Sequence, residues 1–584
     1  MRYDIGMYVR QVTRKNKDGS TVTYVQLAHN RRRDAGASIA EVLYNFGRKD
    51  QIDVAALHRL VASVQRFLGD QDPSTTQSGQ ELRLTDSRPM GAAWLLHGLW
   101  QQLRIDRALA GLWAKRGRGV DPTGPLFAMA ANRALAPSSK HAIPEWVAQD
   151  VLLPGIGPLR DDQLYRAMDF LLSVEAEVQE AVFFSAADLL NLQVDLLLYD
   201  TTSSYFEMED DDEALIERQA AWEAFHKGEG PQPLLPEPQV VNDPPLRLRG
   251  HSKDHRPDRA QVVIGLAVTR EGIPVRVWTW PGNTSDATTV ATVKEDLRGW
   301  KLNRVIWAVD RGFVSEENLV RLRAGGAHYI GGKKLRSGEA DVEEALSRAG
   351  RFQQVSENLE VKEIFLGEGE GRRRMVLVRN PFEAKRHAEK RERSLQRLRE
   401  ELEKLPEGQD EHSKSVCRLM SHPTLGRYLK AGPKGRPVID NSRVKAEERL
   451  DGKYLLITSD ESLPAAEVAV GYRQLAEVER AWRSLKSELD IRPMYHRLDD
   501  RIRAHVLLCW LALLLVRVAE VKTGESWDRL RTELDRLHCV TLEGDAGQVA
   551  QRTELTDQQK QIYAKLGVAP PPKFMKLDVV SSRM

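Results

Sequence analysis

Three acidic side chains stand out for where they fall. Asp200 closes the apolar run LQVDLLLYD (192–200), Asp310 closes NRVIWAVD (303–310), and Glu479 lies in the helical pattern GYRQLAEVERAWRSLKSEL. An apolar run ending in a carboxylate reads as a buried strand whose last residue emerges at a sheet edge, and ligand sites of open α/β sheets lie beyond the carboxyl ends of strands. If the two strands are neighbours, Asp200 and Asp310 converge. Tyr472, Glu479 and Lys486 are spaced by seven, and a heptad drifts only about 20° around a helix, so the three share one helical face. Three hard carboxylates suit Mg²⁺ or Mn²⁺, which take oxygen ligands and keep waters that phosphate oxygens can replace. Two such ions roughly 3.5 to 4 Å apart activate a water or a 3′-hydroxyl on one side of a phosphodiester and stabilise the leaving oxygen on the other. Cations around the trio would hold the polyanion: Arg311, Lys333, Lys334, Arg473, Arg483, Lys486, and Lys253 with Arg256 in the loop GHSKDHR.

Taken singly, each piece has an ordinary explanation. A strand-end Asp before Thr serves as a turn or cap residue, and Glu479 and Lys486 serve as solvated helix charges. The block EMEDDDE (207–213) reads as a solvated linker and not a metal trap. His251 and His255 have the spacing of zinc ligands on a helix, but with Pro257 beside them and no helical pattern they read as loop residues or phosphate contacts. What carries the chemical reading is the occurrence of all the pieces in order.

The elements that must position them follow from pattern. Residues 7–28 alternate β-branched and polar side chains around Asn-Lys-Asp-Gly, a hairpin signal, and the surrounding basic residues make 1–75 a basic N-terminal module of hairpin plus helix. Residues 85–190 have helical spacing of Leu, Ala and Trp. Strands are expected at 192–200, 261–269, 273–280 and 303–310, then 453–458, with a helix over about 465–489. The Pro-rich stretch 207–248 cannot build a core by composition and reads as a surface excursion. The order is that of a mixed sheet flanked by helices. At 584 residues, with 86 Lys+Arg against 84 Asp+Glu, the chain has room for several domains but no global basic field, so a polyanion must be met by local patches. Three cysteines without a CxxC exclude a disulfide framework and a Cys-based zinc site and suit a cytoplasmic setting. The run Val506–Val516 is about half what a bilayer requires, so it reads as a buried core helix and no membrane partner is expected.

The motifs YDTTSSYFE, GHSKDHRPDRAQVVIGLAV, PGNTSD, VDRGF and YRQLAEVERAWRSLKSEL resemble those of the DDE transposases of bacterial insertion sequences. They are similar to the insertion-sequence-4 superfamily and, within it, to the insertion-sequence-1634 type. The resemblance implies that Asp200, Asp310 and Glu479 form the metal-binding trio of an RNase H-like fold, and that Tyr472 and Lys486 contact the transposon end. It also implies a mainly β insertion between Asp310 and Glu479. The signature's Arg position falls on Leu475, so its phosphate contact is either absent or supplied by Arg473 or Arg483. Between Trp307 and Trp482 there is no Trp to stack a flipped base.

The resulting expectation is an α/β chain: a DNA-end-binding helical region at 85–190, a catalytic core at 191–334 and 452–520, an insertion with a charged helix at 335–451, and a C-terminal tail at 521–584. Its function is cleavage at transposon ends and 3′-hydroxyl strand transfer with two Mg²⁺ or Mn²⁺ ions, as a homodimer on double-stranded DNA in the bacterial cytoplasm. The rivals are a metal-dependent nuclease without strand transfer and a catalytically silent DNA-binding relic, the latter favoured only by Leu475.

Overall fold

The computed structural model describes residues 7–15, 21–32, 38–52, 57–58, 61, 64, 83–116, 119–192, 194–300, 302, 305–336, 338–405, 413–544 and 547–579. The chain forms two compact units, one of Met1–Leu190, Leu485–Ile491 and Asp500–Met584, the other of Asn191–Ser484 and Arg492–Asp499.

The first unit begins with an antiparallel sheet of β1 (Met7–Lys15), β2 (Thr21–Arg32) and β3 (Ser38–Arg48). The expected hairpin is β1–β2; β3 was not anticipated. The helix expected within 1–75 falls largely outside the described residues. After β4 (Arg83–Pro89) come six helices: α1 (Gly91–Gln102), α2 (Ile105–Arg116), α3 (Thr123–Leu135), α4 (Ile143–Gln149), α5 (Asp161–Ser173) and α6 (Glu175–Leu190). α3 presents Leu126, Phe127, Met129 and four alanines to the core, the run of small and large apolar residues that lets neighbouring helices approach closely.

The second unit is organised by a nine-stranded sheet. Its strands are β5 (Leu196–Tyr205), β6 (Gln261–Thr269), β7 (Pro274–Pro281), β8 (Ile306–Val309), β9 (His328–Lys333), β10 (Gln353–Ser356), β11 (Leu359–Leu366) and β12 (Arg373–Arg379), with β15 (Lys453–Thr458) after a small β13–β14 ribbon (Leu429–Ala431, Pro437–Ile439). The order is β10-β11-β12-β15-β9-β8-β5-β6-β7. β5, β8 and β9 run parallel, and every other neighbouring pair is antiparallel. The expected insertion is therefore not a separate β domain: its strands β10, β11 and β12 extend the main sheet through β15. The remainder of that segment carries the β13–β14 ribbon and three helices, α11 (Pro381–Glu403), α12 (Lys414–Met420) and α13 (Asn441–Glu448), around Leu395, Leu398, Leu419, Leu425, Tyr428 and Leu429.

Earlier in this unit stand α7 (Asp212–His226), α8 (Asp286–Arg298), α9 (Glu316–Arg323) and α10 (Ala340–Ser347). One sheet face packs Ile364, Met375, Leu377, Leu455 and Ile457 against Leu319 of α9 and Val342 and Ala345 of α10. The other face carries α14 (Ala465–Arg473), whose Gly471 lies against Ile330 of β9. α14 is followed at once by α15 (Leu475–Ser487). The single helix expected over 465–489 is thus two. At their junction the Gln474 N–H bonds both the Val470 and Gly471 carbonyls, and Glu477 N–H reaches back three residues to Gln474, the tightened turn typical of helix ends.

Two further expectations are corrected. β5 does not end at Asp200; it runs on to Tyr205, with Thr201, Thr202, Ser203 and Ser204 all buried. The stretch 207–248 is anchored and not a loose excursion. Asp211 caps α7 by accepting the Ala214 N–H, and the wholly buried Asp212 carboxylate accepts the Leu246 and Arg247 N–H groups and the Arg247 guanidinium.

The first unit is completed by α16 (Asp499–Thr523), α17 (Trp527–Leu534), β16 (His538–Gly544), β17 (Gly547–Arg552), α18 (Asp557–Leu566) and β18 (Phe574–Val579). α16 is long and apolar enough to cross a membrane, yet 89% of its apolar window is buried inside the protein, as expected of a core helix. The residues read as a tail instead form a sheet in the order β18-β17-β16-β4 and return to the first helix, where Tyr563 Oη donates to the Gly91 carbonyl and Trp94 Nε1 to the Ala569 carbonyl.

Candidate active site

Parallel pairing sets Tyr199 level with Val309. Asp200 and Asp310 are the next residues on each, so the two carboxylates emerge side by side from neighbouring strands. β8 stops at Val309, and Asp310 caps a short 3₁₀ turn, Arg311–Phe313, whose Phe313 N–H bonds the Asp310 carbonyl. Side chains alternate across a strand. Tyr199 therefore points to the α8 side, donating to Thr289, while Asp200 points to the face that carries α14.

Asp200 is surrounded by charge. The GHSKDHR loop is pinned to β5 by the Lys253 N–H on Ser203 Oγ, and the Lys253 amine donates to the Thr201 carbonyl (2.8 Å) and hydroxyl (2.7 Å). The same amine lies 3.0 Å from Asp286 Oδ2 and 3.9 Å from Asp200 Oδ1. Thr201 Oγ1 in turn donates to Asp286 Oδ1 (2.5 Å). Burial pushes the Asp200 carboxyl up to about 6; Lys253 and the Thr201 N–H oppose this, and the charges of Asp286 and Asp310 add to it.

Asp310 receives a hydrogen bond from Tyr472 Oη at 2.9 Å. Burial, then the Asp310 charge, raise the Tyr472 phenol well above its usual range, so it stays a proton donor. Tyr454 lies against it with centroids 5.8 Å apart, its own hydroxyl pushed up to about 12 by burial.

Asp200, Asp310 and Glu479 line one cleft of about 330 Å³, completed by Tyr472, Arg473, Leu475 and Val478 of the two helices and by Asn358, Asn380 and Tyr454 of the extended sheet. Among the described residues no three His, Cys, Asp or Glu side chains stand close enough to hold an ion as they are. The exposed Glu479 shares the cleft without joining the aspartate pair. The donor set nonetheless fits a hard divalent ion, being all carboxylate oxygen and open to water. A larger recess of about 620 Å³ between α8 and α9, near Lys294, Arg298 and Arg321, includes none of the trio.

The other candidate residues separate. Arg473 is exposed, borders the cleft and donates to Asn358 Oδ1, and Arg311 is exposed directly after Asp310. Arg256 stacks over Tyr205 and pairs with Asp258 and Glu207. Lys333 is a correction. It shares the face of Leu455, opposite to Asp200, and is paired there with Glu339 and Asp341, which removes it from the cleft; Lys334 after it is exposed. Arg483 is exposed on α15, and Lys486 lies in that helix's last turn. The join at Gln474 means that Tyr472 and Glu479 do not share a continuous helical face. Leu475, at the signature's Arg position, is 9% exposed and turned into the wall of the cleft. Residues not singled out in the sequence were Asp286, available in the PGNTSD motif, and Asn358, Asn380 and Tyr454, for which pattern gave no signal.

No curated protein matches the chain. Among solved structures, the cryo-EM structure of piggyBac transposase in a synaptic complex with hairpin DNA is similar at 10% identity and a TM-score of 0.34, over 76% of this chain and 78% of that one. Residues 9–77 match the N-terminal domain of IS1634 family transposases, and residues 243–515, which include Asp310 and Glu479, match the transposase DDE domain. A domain of the latter kind is a metal-dependent DNA-cleaving module. The two matches together support a DDE transposase of the IS1634 insertion-sequence type.

Proposed function

We propose that this transposase hydrolyses phosphodiester bonds at the ends of its insertion sequence and joins the freed 3′-hydroxyls to target DNA, with Asp200, Asp310 and Glu479 as ligands of two Mg²⁺ or Mn²⁺ ions. The carrying observation is the placement of Asp200 and Asp310 on adjacent parallel strands with Glu479 on the same cleft. Bound there, the ions would activate the attacking oxygen and neutralise charge on the leaving one. The protein's own part is to hold the carboxylates and the DNA. Lys253 keeps Asp200 ionised beside Asp286, Tyr472 fixes Asp310, and Arg311, Arg473, Arg483 and Lys486 supply cations for the backbone.

The antiparallel β7-β6-β5 followed by the parallel β8 and β9 supports an RNase H-like core, and the signature around Glu479 supports the insertion-sequence-4 superfamily. The basic N-terminal sheet and α1–α6 serve as the end-binding modules. Since two ends must be cut and joined together, the active form is a dimer on DNA.

The test is Mg²⁺-dependent cleavage and joining of a labelled duplex carrying the element's inverted repeats. Wild type is expected to cut and transfer strands, with Asp200→Asn, Asp310→Asn and Glu479→Gln inactive yet DNA-bound. Cutting without transfer would leave a nuclease. Binding without cutting in either metal would leave a relic, the reading that Leu475 favours.

A further inference from the structure

We propose that Tyr472 is a positioning residue that orients Asp310 for metal, and that it does not contact DNA. The proposal rests on the metal-centre reading of the Asp200, Asp310 and Glu479 cleft.

The hydroxyl is placed by packing on several sides. Oη lies 2.9 Å from Asp310 Oδ1, and the ring leans on Tyr454 at an interplanar angle of 30°. Beneath it is Gly332 of β9, where a Cβ would fall 2.3 Å from Tyr472 Oη and 3.0 Å from Cζ. Only a glycine leaves room for the phenol to reach Asp310 over that strand. The backbone at 332 is ordinary extended strand, paired to Leu456, so this close approach gives the glycine a packing reason.

A tyrosine hydroxyl has a single proton to give. A phosphate oxygen and the Asp310 carboxylate are both pure acceptors, so they would compete for it, and Asp310 already holds it. With one oxygen bonded to Tyr472, the carboxylate is confined to a narrow range of orientations and its other oxygen is left for the ion. Outer partners that hold a ligating carboxylate in this way typically contribute 10- to 100-fold in metal affinity or activity. The neighbouring signature position points the same way: Leu475 is turned into the cleft wall, so this stretch of the motif packs against the site, and its cation for DNA is the exposed Arg473.

The experiment uses the full chain without DNA. Mn²⁺ binding is followed by the EPR signal of the free ion, and binding to an inverted-repeat duplex in EDTA is measured separately across a range of salt. Tyr472→Phe keeps the ring and removes only the hydroxyl. It is expected to weaken Mn²⁺ binding about 10- to 100-fold, with duplex affinity and its salt dependence unchanged. Gly332→Ala, which displaces the hydroxyl without altering Tyr472, should reproduce this, and Asp310→Asn should lose Mn²⁺ more fully. Unchanged Mn²⁺ binding in Tyr472→Phe, beside a loss in Asp310→Asn, overturns the positioning role alone. A fall in duplex affinity with a shallower salt slope would also overturn it in favour of a DNA contact. Wild type that binds no Mn²⁺, or Asp310→Asn that binds it as wild type does, overturns the metal-centre reading and the proposal with it.

Discussion

The Asp212 carboxylate and the Arg247 guanidinium, 35 residues apart, meet where neither reaches water: the side chains are 0% and 2% exposed. Asn242 donates to the same carboxylate and to the Arg497 carbonyl, and its own oxygen accepts the Asp499 N–H, tying the stretch after β5 to the segment that leads into α16. Removing one partner strands a buried charge, which typically costs 3–5 kcal/mol. Asp212→Ala should therefore destabilise the second unit by about that amount in urea unfolding. The double replacement Asp212→Leu with Arg247→Met should be milder than either single change. A double variant as unstable as the sum of the two would contradict this account.

Asp200 gives a pH signature. Its folded-state pKa, about 6, is above the ordinary carboxylate value of 3.8. The folded chain thus holds a proton more tightly than the unfolded one, and stability falls as pH rises from about 4 to about 6, then levels. Asp200→Asn removes that penalty. It should raise the melting temperature at pH 8, by an amount corresponding to roughly 1–3 kcal/mol, and leave it nearly unchanged at pH 4. Saturating Mg²⁺ should narrow the gap at pH 8 by binding the wild-type carboxylate.

Lys253 is the cation that opposes this shift. Lys253→Met should move the acid limb of the cleavage profile to higher pH, so that activity falls more at pH 6.5 than at pH 8.5. Equal loss at both would show that the amine acts on DNA alone.

In the first unit Lys140 is buried beside His505 Nδ1, with Arg133 as a second buried cation nearby. Burial, then the Arg133 charge, lower its amine to about 7. The unfolded chain holds the proton more tightly here, so stability rises with pH between about 7 and 10. Lys140→Met should therefore stabilise the protein at pH 7 and do so much less at pH 10, read by thermal melting.

What was legible in the sequence was what alternation and apolar runs encode: β6 and β7 within a residue, the buried α16, and two strands carrying Asp200 and Asp310 side by side. The reading failed where polar residues are buried by distant partners. Apolarity stops at Tyr199, yet Thr201 is buried because Asp286 and Lys253 satisfy it. Asp212 looked solvated because Arg247 is not a local neighbour. β16 to β18 looked like a tail because the strands are half-exposed and join the rest of the fold through β16, which pairs with β4 some 450 residues away. The hydrogen bond from Tyr472 to Asp310 was invisible for the same reason, since Asp310 and the Gly332 that leaves room for it come from distant parts of the chain.

β15, the strand after the insertion, pairs on one side with β12 and on the other with β9, the last strand before it. The chain thus leaves the sheet and rejoins it at the same seam. Excising residues between β9 and β15 would leave that ladder intact, so the smaller sheet could close without the insertion, with β15 as a bare edge. Such an edge, KYLLIT with its backbone groups unpaired, is a template for strand addition. In the full chain the insertion covers that edge, and its attachment along a hydrogen-bonded seam makes its strands a continuation of the plate that carries the aspartates.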